Sequence, residues 1–145
     1  MEDLKVIAKE ILDSFHLMNL GTQDENGVWV STVHYVSDAD LNLYWLSSDL
    51  VRHSKAVLNN SKVAGTITVS TKPGDPNVGL QFEGLAEKLD GNHPELAKKH
   101  AAKRNKPEPQ VGELEKGRSW YRLKPTKIQI IHEPNWGFNK QTIEL

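Results

Sequence analysis

The Asn26-Gly27 pair constrains this chain more than any other feature, because a tight hairpin turn needs positive φ angles that Asn and Gly tolerate. It lies in Asp24-Glu25-Asn26-Gly27, between apolar-rich runs at 17–22 and 28–36, and so predicts an antiparallel hairpin. A second turn, Ser37-Asp38-Ala39-Asp40, leads into 41–48, where Leu41, Leu43 and Trp45 recur at the two-residue period of a half-buried strand. The pattern returns at 62–70 with Val63, Ile67 and Val69, at 79–89, and at 119–131 with Tyr121, Leu123, Ile128 and Ile130, where Pro125 interrupts it. Residues 71–77 have turn-forming composition without periodicity and predict a loop between strands.

Helical spacing is confined to three places. Over 2–15, Leu4, Ile7, Ile11, Leu12 and Phe15 form one apolar stripe that predicts a helix packed as a lid. Ser47-Ser48-Asp49 predicts an N-cap for a helix running to about Asn59, with Leu50, Val57 and Leu58 as its apolar face. Residues 93–105 read as a basic helix with few apolar anchors, a surface excursion trailed by Lys106-Pro107-Glu108-Pro109. About six strands joined mostly by hairpins, without βαβ alternation, predict a mainly β, antiparallel barrel or sandwich with flanking helices. No repeat or linker divides the chain, so residues 1–145 are expected to form one domain.

Composition narrows the chemistry. Eighteen Lys plus Arg stand against 19 Asp plus Glu, a formal net charge of -1, so no polycation surface for nucleic acid is expected. The basic run Lys98, Lys99, Lys103, Arg104 and Lys106 is flanked by Glu95, Glu108, Glu113 and Glu115, and reads as a solvated helix face. No stretch reaches the roughly 20 apolar residues of a membrane span, and the amino terminus reads as an amphipathic helix, so a cytoplasmic protein is expected. The 37% hydrophobic content suggests a small core completed by a subunit interface, most simply a dimer. The absence of Cys excludes disulfides, thiolate nucleophiles and thiolate metal sites. The histidines show no tight ligand spacing, and neither a Gly-rich phosphate loop nor a Gly-x-Ser-x-Gly elbow is present.

Chemistry concentrates where a strand meets a helix. Ser47, Ser48, Arg52, His53 and Lys55 lie together around a helix start, whose free N–H groups and partial positive charge suit an anion. The same residues also fit a plainer reading, with Ser48 as a cap, Asp49 in the first turn and the basic residues solvated.

The order of an amino-terminal helix, a meander carrying Gly27 and Ser31-Thr32-Val33, Ser47-Ser48 leading to Arg52-His53-Ser54-Lys55, and Lys62-Val63-Ala64 resembles the pyridoxamine 5'-phosphate oxidase-like, FMN-binding split-barrel superfamily. The stretch 119–128 is similar to that group's final strand, and Gly79-Leu80-Gln81-Phe82-Glu83-Gly84 with 135–140 is similar to a small bacterial branch of single-domain members. The resemblance implies a six-stranded antiparallel split β-barrel, a homodimer, and FMN at the subunit interface.

Carried onto this chain, it implies that Arg52 and His53 hold the phosphate beside Ser47 and Ser48, with Lys55 as a further phosphate contact. Ser31, Thr32 and Val33 would border the flavin ring through backbone groups, Gln81 would line the partner side, and Trp120 and Trp136 would approach the flavin of the other subunit. Trp29, Trp45 and Tyr35 read instead as packing residues. A flavin brings its own redox chemistry, so few polar residues are required of the protein. His53 stands where the family often has lysine, which predicts phosphate binding that weakens as pH rises. Ile131-His132-Glu133-Pro134 lacks the Arg that grips substrate phosphate in the oxidases proper, so vitamin B6 oxidation is not expected. The leading expectation is an FMN-dependent oxidoreductase acting on a small molecule. The alternatives are a flavin-sequestering module, or a barrel that takes deazaflavin or haem, with His34 or His132 then available to iron.

Overall fold

The computed structural model describes residues 3–145. The first helix, α1 (Leu4–Ser14), starts from Asp3, whose carboxylate accepts the Lys5 amide at 2.9 Å. Glu2, included in the predicted helix, lies outside the described residues. The apolar stripe faces inward as expected: Ile11 and Leu12 are buried, and Leu4, Ile7 and Phe15 pack partly buried against the core.

The hairpin forms as β1 (Leu17–Asp24) and β2 (Gly27–His34), in register from Leu17 opposite His34 to Asp24 opposite Gly27. Of the pair, Gly27 alone takes a positive φ, +109°; it already pairs with Asp24, so Glu25 and Asn26 form the two-residue loop, where the Asp24 carboxylate accepts the Asn26 amide at 2.9 Å. The remaining strands are β3 (Val36–Ser37), β4 (Leu43–Ser48), β5 (Lys62–Thr68), β6 (Val78–Lys88), β7 (Arg118–His132) and β8 (Gln141–Glu144). They form one antiparallel sheet in the order β2-β1-β5-β6-β7-β4-β3, with β8 added to β7. β7 is the spine, because its first half pairs with β4 and its second half with β8 while β6 runs beside both. Pro125 is accommodated at the register shift beside Gly84, where any side chain on Gly84 would collide with the Lys124 carbonyl.

Among the described residues eight strands therefore stand where six were expected. β3 separates from β2 because Tyr35 turns inward, its amide donating to His16 and its hydroxyl donating to the Leu12 carbonyl at 2.8 Å. β8 is a four-residue strand that buries a single side chain, Ile143, too little periodicity to read from sequence. The curled sheet wraps a core in which Trp45 stacks on Tyr121 at 5.7 Å between centroids, with Met18, Leu20, Ile67, Leu80 and Ile130 around them.

Two helices differ from expectation. α2 (Arg52–Asn59) begins after the Ser47-Ser48-Asp49 segment, because Ser48 accepts the Leu50 amide two residues on and Val51 becomes the N-cap. Its inner face is Ser54, Ala56 and Val57, whereas Leu50 is 79% exposed and Leu58 points to solvent. α3 (Pro94–Lys103) is not a free excursion: Ala97, His100 and Ala101 are buried, and the His100 ring meets Trp120 edge-on at 5.7 Å. Small residues there let the helix approach closely, a pattern with no strong hydrophobic signature.

Candidate functional site

β4 leads into α2, which packs against β1, β6 and β2. At this corner Ser47 is buried and its hydroxyl lies 3.0 Å from His53 Nε2, which joins the last turn of strand to the first turn of helix. Burial pushes the His53 imidazole below its ordinary pKa, which favours its neutral form. Ser48 is spent on the local turn. Asp49 turns the other way, accepting from Tyr121 Oη at 2.6 Å and Ser119 Oγ at 3.1 Å, with Lys88 Nζ at 3.3 Å. The Tyr121 bond holds the Asp49 carboxyl below the usual range, while burial first and Asp49 second push the Tyr121 hydroxyl up to about 12.

Arg52 faces the hairpin. Its Nε donates to Asp24 Oδ2 at 2.9 Å and its Nη2 to Asp24 Oδ1 at 3.2 Å, and its guanidinium lies 4.6 Å from the centroid of the Trp29 ring. The Arg52 bond lowers the Asp24 pKa, and the same contact raises that of Arg52. Trp29, read from sequence as packing, is instead partly exposed beneath this cation; Trp45 and Tyr35 are fully interior. A groove of about 760 Å³ opens alongside, bounded by Asp24, Asn26, Arg52, Lys55, Asn59 and Asn60. Its volume falls in the roughly 300–1,000 Å³ range of small-molecule clefts. Asp24 was missed as a site residue because its partnership with Arg52 spans 28 positions and carries no sequence signal.

β2 is the terminal strand of the sheet, so alternate backbone N–H and C=O groups on its outer edge have no strand partner. Ser31 and Thr32 lie partly or fully exposed on this strand, and the Val33 side chain enters the core. Val28 and Val30 are exposed on it as well, Val30 by 61%. Thr32 begins a polar row that crosses the sheet through Asn19, Thr66, Gln81, Gln129 and Thr142, each opposite the next. Thr32 Oγ1 lies 3.2 Å from Asn19 Oδ1, and Asn19 Nδ2 donates to Thr66 Oγ1 at 3.3 Å.

Not every predicted residue gathers here. Gln81 belongs to the polar row, three strand spacings from β2 or roughly 14 Å, so it does not join the corner within this chain. Trp120 is 0% exposed, with its indole N–H donated to Glu115 at 2.9 Å, and leaves no ring face for a ligand; α3 covers it. Trp136 ends α4 (Glu133–Trp136), half-buried at the far end of β7, the full length of that strand from the corner and 5.8 Å from the His132 ring. His34 stacks on His16 at 5.7 Å and its buried Nδ1 has no hydrogen-bond partner, while His132 Nδ1 accepts the Asn135 amide at 3.2 Å. Among the described residues no helix is long and apolar enough to cross a membrane, and no group of three His, Cys, Asp or Glu is arranged around a metal position.

No family model matches the chain. It is 36% identical over 84 residues to a UPF0306 protein of Pasteurella multocida, a match covering 57% of this chain and 56% of that protein, so it spans little over half that relative's length. It is 30% identical over 100 residues to the UPF0306 protein YhbP of Escherichia fergusonii, covering 68% of this chain and 67% of that one. Among solved structures, a putative pyridoxamine 5'-phosphate oxidase from Listeria innocua superposes with a TM-score of 0.70 at 20% identity, over 89% of this chain and 98% of that one. HutZ, the heme storage protein of Vibrio cholerae, superposes with a TM-score of 0.63 at 15% identity, over 99% and 95%. The curled antiparallel sheet, its flanking helices and the length of these matches establish that the chain belongs to the UPF0306 family and has the pyridoxamine 5'-phosphate oxidase-like split-barrel fold.

Proposed function

We propose that this chain binds FMN between two copies of itself and serves as a flavin-dependent oxidoreductase for a small molecule. The observation that carries this reading is the groove lined by Arg52 and Lys55 from the start of α2 and by Asp24 and Asn26 from the hairpin that ends in the open strand β2, with the Ser47–His53 pair at the adjoining strand-to-helix turn. The donors that line the groove fit a phosphate monoester: the Arg52 guanidinium fork, the Lys55 ammonium and the side-chain amides of Asn26, Asn59 and Asn60. On binding, Arg52 exchanges the Asp24 carboxylate for a phosphate oxygen, and the free edge of β2 offers backbone donors and acceptors to a heteroaromatic ring. Bound FMN supplies hydride or electron transfer, and the protein's part is to hold and orient it. Trp136 and Gln81 lie too far from the corner within one subunit, so any contact they make with the ring comes across a dimer interface.

The test is the absorption spectrum of freshly purified protein, followed by anaerobic addition of NADPH or NADH. Flavin bands that bleach on reduction support the oxidoreductase. Flavin bands that do not bleach with either donor support a flavin-sequestering module.

A haem-binding reading is favoured by one feature, the buried and unpartnered Nδ1 of His34, together with the likeness to HutZ. A Soret band that disappears in His34→Ala would select it over the flavin.

A further inference from the structure

We propose that the pocket where α1, β3 and α3 meet is a second anion site, built for a small phosphate monoester and separate from the strand-to-helix corner. The cavity measures about 420 Å³ and is bounded by Lys9, Asp13, Ser37, Lys99 and Lys103. Lys9 comes from α1, and Lys99 and Lys103 stand four positions apart on one face of α3. Three lysines and one carboxylate, Asp13, thus line a single concavity. β3 pairs with the start of β4 at Leu43, whereas the corner lies at that strand's end, roughly 15 Å away.

The donors are held but not exhausted. Lys9 Nζ donates to Asp13 Oδ1 and to Ser37 Oγ, each at 2.8 Å. Lys103 Nζ donates to the Leu12 carbonyl at 2.9 Å and the Tyr35 carbonyl at 3.4 Å, and sits 3.8 Å from the centroid of the Tyr35 ring. An ammonium has three N–H donors, so Lys9 and Lys103 each keep one. Lys99 has no hydrogen bond or ion pair among the described residues. Ser37 is only 6% exposed, and its hydroxyl accepts from Lys9, which leaves its own proton to donate.

Lys103 also caps the carboxyl-terminal end of α1 through the Leu12 carbonyl, which explains its placement but not the surplus of positive charge around it. Burial first, and Lys9 against the help of Asp13, lower the Lys103 amine to about 8, so the cluster as it stands disfavours its own charge. A tetrahedral dianion supplies the missing charge and acceptors for all three ammonium groups and the serine. A hydrophobic ligand supplies neither.

The test is calorimetric titration of the full chain with inorganic phosphate and with glycerol 3-phosphate at low ionic strength. In the Arg52→Ala background, which removes the corner as a competing phosphate site, binding should persist; there Lys99→Ser, an exposed position that endangers no packing, should weaken both by about five- to tenfold and Lys99→Arg should retain binding. Lysine side-chain NMR should show phosphate moving Lys103 from about 8 back toward 10.5. Absence of binding at millimolar phosphate in that background overturns the site, as does binding there that Lys99→Ser leaves unchanged. Equal response to chloride and phosphate also overturns it, since that is screening and not recognition.

Discussion

Arg52 grips Asp24 with both sides of its guanidinium fork, so the residue best suited to hold a phosphate already holds a carboxylate. The pair ties the first turn of α2 to the turn of the β1–β2 hairpin and rests on the Trp29 ring. A phosphate that enters competes with Asp24 for the same donors. Asp24→Asn keeps the shape, removes the competing charge, and should tighten FMN binding by about three- to tenfold, read by flavin fluorescence quenching.

Arg52→Ala has the opposite effect. Loss of a charge-assisted fork should weaken FMN by roughly ten- to a hundredfold with little change in unfolding temperature, because the Asp24 partner is left at the solvent-facing groove. Unchanged FMN affinity in this variant removes Arg52 from the site.

Trp120 gives a contrasting expectation. Its ring is interior and its N–H bonds Glu115, so Trp120→Phe should lower stability by about 1–2 kcal/mol in urea unfolding and leave flavin affinity as it was. A large loss of flavin affinity without a stability change would contradict its placement under α3.

Val30 tests the proposed subunit interface. It lies exposed in a row with Gly21 and Ala64, a smooth outer sheet face flanked by the open edge of β2. If two copies pair over this face and share FMN as proposed, Val30→Glu should give a monomer in light scattering and lower FMN affinity at the same time. A dimer that persists places the interface elsewhere.

Acid should loosen α3. His100 is 7% exposed and its pKa is lowered to about 4, by burial first and then by Arg104, His34 and Arg118. The unfolded chain takes up that proton near pH 6.5, whereas the folded chain resists it, so stability is full above 6.5 and falls as pH drops toward 4. The loss is on the order of 2 kcal/mol for this group. Urea unfolding at pH 7 and pH 5 should show the decline in the natural protein and a smaller one in His100→Gln.

The hairpin, the apolar stripe of α1 and the alternation along β4 and β7 were legible in the sequence, because each depends on neighbours within a few positions. Local chemistry also marked the strand-to-helix corner, although the helix started later than its Ser and Asp residues suggested. Burial of α3 was hidden because alanines and a histidine carry little hydrophobic signal, and β8 because it is short.

What surrounds each charged side chain was decided only in three dimensions. Arg52 meets Asp24 across 28 positions and Lys103 reaches Leu12 across 91, distances over which no periodicity operates. The sequence determined which segments become strands and helices, through turn chemistry and the spacing of apolar residues. Tertiary packing determined which charges are paired, which are crowded with like charges, and which face an open groove, because those depend on where the curled sheet brings distant segments together.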